Sequence, residues 1–120
     1  MRYVFSIDGT LPSLNEYMDA ANANRYAAAH MKRDAQARIR AALIDPPRFK
    51  GAVTIEIAWH CPNIRKDKDN VAFAKKFILD ALQEAGVIEN DSWKLCTPYD
   101  VGFNVNRENP HIVVCVEGEA

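Results

Sequence analysis

Residues 52–60 read Ala-Val-Thr-Ile-Glu-Ile-Ala-Trp-His. Val53, Ile55, Ile57 and Trp59 alternate with Thr54, Glu56, Ala58 and His60, the period of two expected of a strand with one buried face. Gly51 opens the stretch and Cys61-Pro62-Asn63 ends it, both being turn signals. An apolar strand face needs a covering layer, and a helical pattern stands on either side of it. Arg25–Leu43 has no Gly or Pro, is rich in Ala, and repeats Tyr26, Ala29, Arg33, Ala37, Arg40 and Ile44 at helical spacing. Asp45-Pro46-Pro47 stops it. Asn70–Glu84 is a second helix, with Val71, Ala74, Ile78, Ala81, Leu82 and Ala85 as its buried stripe, Phe73 and Phe77 widening it, and Gly86 as its terminator.

Further out, Tyr3–Ile7 alternates as a first strand, and Ser13 with Glu16 forms a capping pair for a short helix through Ala20. Leu95–Asn106 and His111–Val116 are expected as closing strands, with Gly118–Ala120 as a frayed tail. The expectation is a single α+β domain over residues 1–120: a mixed sheet of about four strands with two main helices packed on it.

The 120 residues suffice for one hydrophobic core. No apolar run approaches the ~18 residues of a membrane span, and Met1–Ile7 lacks the cleavage site of a signal peptide. Cys61, Cys96 and Cys115 are odd in number and form no CxxC pair, so they are read as small packed hydrophobes. A cytoplasmic protein without membrane contact is expected. No P-loop, GxGxxG or Ser-His-Asp arrangement is present, which leaves no nucleotide cofactor to assign. His30, His60 and His111 are scattered along the chain and are read as surface or packed side chains. Trp59 reads as core, whereas Trp93 is open between a lid and simple packing.

The net charge of −1 conceals a division: residues 25–76 hold 12 of the 15 basic residues but only five of the 16 acidic ones. Such a basic patch is what a polyanion would feel. Within it stands Arg65-Lys66-Asp67-Lys68-Asp69-Asn70. In an extended connection residues i and i+2 point the same way, so Asp67 and Asp69 converge just before a helix; the plainer reading is one helix cap and one surface charge. Asp91, in the turn after Val87-Ile88, is a third candidate oxygen ligand, with an N-cap as its alternative. On an ideal helix Lys76 stands 700° beyond Asp69, nearly the same face; it either steadies a phosphate oxygen or pairs with Asp80. Arg65, Lys66, Lys68 and Lys75 rim the carboxylates, and cations around an acidic centre suit a phosphodiester.

Asp67-Lys68-Asp69-Asn70, a downstream lysine, Asp80-Ala81-Leu82, Gly86 and Asp91 resemble the motif series of the RusA-type Holliday-junction resolvases, and Leu11-Pro12-Ser13-Leu14-Asn15-Glu16-Tyr17 is similar to that family's P-S-x-N-x-Y segment. The resemblance spans nearly the whole chain. It implies a Mg²⁺-dependent endodeoxyribonuclease, with Mn²⁺ as a substitute ion, that binds four-way DNA junctions as a homodimer and nicks two strands symmetrically. It places metal binding and catalysis on Asp67, Asp69 and Asp91, and an essential lysine on Lys76. The interval from Asn70 to that lysine is nearly one helical turn longer than in the family pattern, which keeps Lys75 as the alternative. Arg65, Lys66, Lys68, Lys75, Asn15 and Arg33 are the expected DNA contacts. Two other readings stay open: a less selective metal-dependent nuclease of flaps or nicks, and a non-enzymatic DNA-binding adaptor whose carboxylates only cap helices.

Overall fold

A computed structural model describes residues 1–120. The elements follow one another as β1 (Arg2–Asp8), α1 (Leu14–Ala23), α2 (Arg25–Ala42), β2 (Lys50–Cys61), α3 (Lys68–Ala72), α4 (Lys75–Glu84), β3 (Cys96–Val105) and β4 (His111–Glu119). The strands form one sheet in the order β1-β4-β2-β3. β4 runs antiparallel to both its neighbours, and β2 and β3 are parallel. This is the expected α+β domain with a four-stranded mixed sheet.

The alternating stretch Val53–Trp59 lies in the interior strand β2, and its four apolar side chains are buried. They meet Ile112, Val114 and Val116 of β4, Phe5 and Ile7 of β1, and one face each of α2 and α4. These two helices supply the buried helical residues: Ala28, Ala35, Gln36 and Ile39 from α2, and Phe77, Ile78, Leu79, Ala81 and Leu82 from α4. Helix α1 buries none; it is an outer layer anchored by its cap. Ser13 and Glu16 close the predicted capping box.

Parallel neighbours cannot be joined by a hairpin and need a crossover, and α3 and α4 provide it between β2 and β3. Gly86 ends α4 at φ +75°. Its N–H reaches the Gln83 carbonyl and that of Val87 reaches Leu82, the paired bonds of a Schellman ending. A side chain at position 86 would meet only the movable end of Arg48, so it is the left-handed conformation that calls for glycine there.

Three details depart from expectation. The helix predicted over Asn70–Glu84 starts earlier and is broken at Phe73-Ala74, where i+3 bonds (Ala74 N–H to Val71, Lys76 N–H to Phe73) replace the regular ladder. The break falls where Phe73 packs against Tyr17 and Phe77, ring centroids 5.5 and 5.6 Å away. The tail is not frayed: Gly118 and Met1 exchange hydrogen bonds and Glu119 pairs with Lys50, so β4 runs on between its neighbours. Trp93 is 97% exposed and is neither packed nor a lid. No helix is long and apolar enough to cross a membrane.

Candidate functional site

The crossover puts a loop, residues 62–67, at the carboxyl end of β2, beside the carboxyl end of β3. In open sheets, this end of parallel strands is where ligands bind. A groove of about 410 Å³ opens there, lined by Asn63, Ile64, Lys66, Asp67, Lys68 and Asp69 on one side and Phe103, Asn104 and Val105 of β3 on the other. Asp67 and Asp69 thus share one hollow. Asp67 occupies the N-cap position of α3, yet its side chain makes no capping bond. Asp69 accepts only from the neighbouring Asn70 N–H, at 3.0 Å. Neither carboxylate forms an ion pair; of the plainer reading, one cap and one surface charge, the structure keeps Asp67 at the cap position without a capping bond and leaves both side chains exposed.

Asn70 has a different partner. Its Oδ1 accepts from the Asn15 backbone N–H at 2.9 Å, tying the start of α1 to α3 across 55 residues of chain. Tyr17, two residues on, packs its ring against Phe73 and Phe77. The segment Leu11–Tyr17 and the segment Asp67–Asn70 are therefore contiguous in space. Asn15 acts here through its backbone and Tyr17 as packing.

Asp91 returns along α4, its N–H donating to Gln83 Oε1 at 3.2 Å and its Oδ2 lying 3.4 Å from Lys76 Nζ. Lys76 Nζ is also 3.1 Å from Asp80, the i+4 pair foreseen as its plainer role. Asp80, then Asp91, hold the Lys76 ammonium above its ordinary pKa against the opposing effect of desolvation. Asp91 is thus brought to the crossover helix but lines neither the groove of Asp67 and Asp69 nor a shared ligand cage: no three His, Cys, Asp or Glu side chains gather at metal-ligand spacing. The donor chemistry itself suits Mg²⁺, which takes hard carboxylate oxygens, and Asp67 and Asp69 offer such oxygens without a competing cation.

The expected DNA contacts divide into committed and free cations. Lys66 is bound to Glu16 at 2.7 Å, which holds the Glu16 carboxyl below its ordinary pKa. Lys68 lies 5.7 Å over the Phe103 ring. Lys75 is bound to Asp100 at 2.6 Å. Arg65 is exposed with no side-chain partner. Arg33 is exposed on α2 and lines neither hollow.

Two groups escaped sequence reasoning. Asp100 sits at a β-bulge against Ile57/Ala58; it accepts from Trp59 Nε1 at 2.9 Å and from Lys75. Nothing in the sequence around it announced this, because the bulge that aims it is a property of strand pairing. His60 and His111, distant in sequence, are cross-strand partners whose rings stack at 4.2 Å. Burial raises the pKa of the Cys61 and Cys96 thiols, in keeping with unreactive packed cysteines.

No protein-family model matches this sequence, and no curated protein matches it.

Proposed function

We propose that the chain is a Mg²⁺-dependent, structure-selective endodeoxyribonuclease that resolves four-way DNA junctions by symmetric nicking, as the RusA-type resemblance implies. The observation that carries this reading is the meeting of its two motif segments: Asn15 and Asn70 are hydrogen-bonded at 2.9 Å beside a groove that holds two uncommitted carboxylates. A role as helix caps alone does not account for Asp67 and Asp69, whose side chains cap nothing.

Asp67 and Asp69 would hold the ion, and Asp91, which lies outside their groove against Lys76, is a third ligand only as the resemblance implies; when bound, the ion would acidify a water molecule and neutralise charge on the scissile phosphate. Arg65, Lys66 and Lys68 line the approach and receive backbone phosphates, Arg65 without first releasing a partner. Lys76 presents its ammonium to negative charge that develops during cleavage. Of the two candidate lysines it is the more exposed, with a side chain 60% exposed against 24% for Lys75, although it pairs with Asp80 and Asp91. A two-fold homodimer matches the two equivalent strands of a junction.

The test is cleavage of a synthetic four-way junction beside linear duplex and flap substrates, with Mg²⁺ and with EDTA. Mg²⁺-dependent paired nicks confined to the junction are expected. Asp67→Asn, Asp69→Asn and Asp91→Asn should each abolish cleavage and retain junction binding. Equal cutting of flaps would replace this reading with a less selective nuclease. Junction binding with no cutting under any metal would leave a DNA-binding adaptor. Sedimentation showing only a 13.5 kDa species at micromolar concentration would remove the dimer.

A further inference from the structure

A second hollow, of about 240 Å³, adjoins the carboxylate groove. Leu11, Trp59 and Ile112, all less than one-tenth exposed, supply its apolar floor. Thr10 and Asn63 contribute exposed polar side chains, and Arg65 and Lys66 contribute cations. No carboxylate lines it. The hollow is smaller than the roughly 300–1,000 Å³ of sites that enclose drug-sized ligands, so it suits one planar ring system rather than an extended molecule.

Each part of the lining asks something of the occupant. The floor gains only from an apolar body. The exposed Asn63 amide offers donors to hydrogen-bonding edges on that body: its Oδ1 already accepts from the Arg65 N–H at 2.9 Å, which leaves the two amide hydrogens to donate. Arg65, which has no anionic partner, calls for an attached anion, and Lys66 would join it on leaving Glu16. An inorganic anion leaves the floor unused, and an aliphatic acid meets cations and amide through one carboxylate but carries no hydrogen-bonding edge on its apolar body; a nucleobase carrying a phosphate engages floor, amide and cations at separate points. The two hollows also share Cys61, Asn63, Lys66 and Val71. A group seated in the smaller one is therefore continuous with a strand lying along Asp67 and Asp69.

We propose that this cavity receives one unstacked nucleobase of a DNA strand whose phosphate rests on Arg65 and Lys66. The assignment to a DNA strand rests on the nuclease reading; recognition of the nucleotide stands apart from it. Removing a base from its stack costs a few kcal/mol, least where pairing is already broken, so an occupied cavity favours strands at a branch over continuous duplex.

The experiment uses the ¹⁵N-labelled full chain, titrated by NMR with deoxycytidine 5′-monophosphate, deoxyadenosine 5′-monophosphate, 2-deoxyribose 5-phosphate and inorganic phosphate. Saturable shifts at the amides of Thr10, Leu11 and Asn63 are expected, with at least one nucleotide binding about fivefold or more tighter than the sugar phosphate. Asn63→Leu should remove that preference while leaving the weak response to sugar phosphate, its fold verified in the same spectrum. Equal affinity for all four probes, or shifts confined to residues 64–70, or no saturable shift, overturns the proposal. A nucleotide that binds here while junctions stay uncut defeats the nuclease reading alone; junction cutting without a nucleotide preference defeats the cavity proposal alone.

Discussion

Lys75 and Lys76 are adjacent, but one residue of helix rotation sends them to different carboxylates. Lys75 holds Asp100, which in turn holds the Trp59 indole; Lys76 bridges Asp80 and Asp91 at the surface. Lys76→Ala is expected to lower junction cleavage by about a hundredfold with little loss of stability, since exposed pairs contribute about 0–1 kcal/mol. Lys75→Ala should do the reverse, costing about 1 kcal/mol in urea unfolding and less than about tenfold in rate. Interchanged outcomes would make Lys75 the lysine that serves cleavage. The Lys66–Glu16 pair has a pH signature. Its hydrogen bond puts the folded Glu16 carboxyl below its ordinary value of 4.5. Its contribution is then full above that value and lost as pH falls through the lower folded value. Glu16→Gln keeps the capping box and removes the titration, so the wild type should lose more stability than the variant between about pH 5 and 3. The difference should stay under about 1 kcal/mol, because both side chains are about half exposed.

At the scale of elements, the capping box of α1 and the glycine ending of α4 were both legible, because each is decided by residues within one turn of the other. The break between α3 and α4 was not. No Gly or Pro marks it; Phe73 packs against Tyr17, which lies 56 positions earlier in the chain. The ideal-helix rotation that aligned Lys76 with Asp69 does not carry across that break, and Lys76 turns to Asp80 and Asp91 instead. Asn70 likewise serves another element, its side chain accepting from the first turn of α1. Asn70→Ala should cost about 0.5–1 kcal/mol, as loss of a cap does, and should speed hydrogen exchange at the Asn15 amide selectively. Uniform loss of protection across the sheet would show that Asn70 acts on the whole fold rather than on α1.

Over the whole molecule, the crossover between parallel β2 and β3 decides where the candidate site lies. It carries the basic stretch Arg65–Lys68 to one end of the sheet, with Lys66 and Lys68 at the carboxylate groove and Arg65 at the hollow that adjoins it. Binding of a junction should therefore weaken steeply with salt, and Arg65→Ala should lower the slope of log K against log salt by about one. An unchanged slope would take Arg65 off the phosphate path. Charge patterning alone left a polyanion partner and a plain solvated surface both open; which cations already hold a carboxylate was decided by pairings such as Lys66 with Glu16, 50 residues apart.

Local pattern determined the strands, the two core helices, the capping box of α1, the glycine ending of α4 and the acidic D-x-D-N segment, because period, propensity and capping act between residues a few positions apart. Tertiary packing alone decided the sheet order, the helix break, the union of Asn15 with Asn70, the stacked His60 and His111, the bulge that aims Asp100, and the separation of Asp91 from the groove of Asp67 and Asp69. These depend on contacts between distant segments, whose cost in chain entropy is met only when the core closes as a whole.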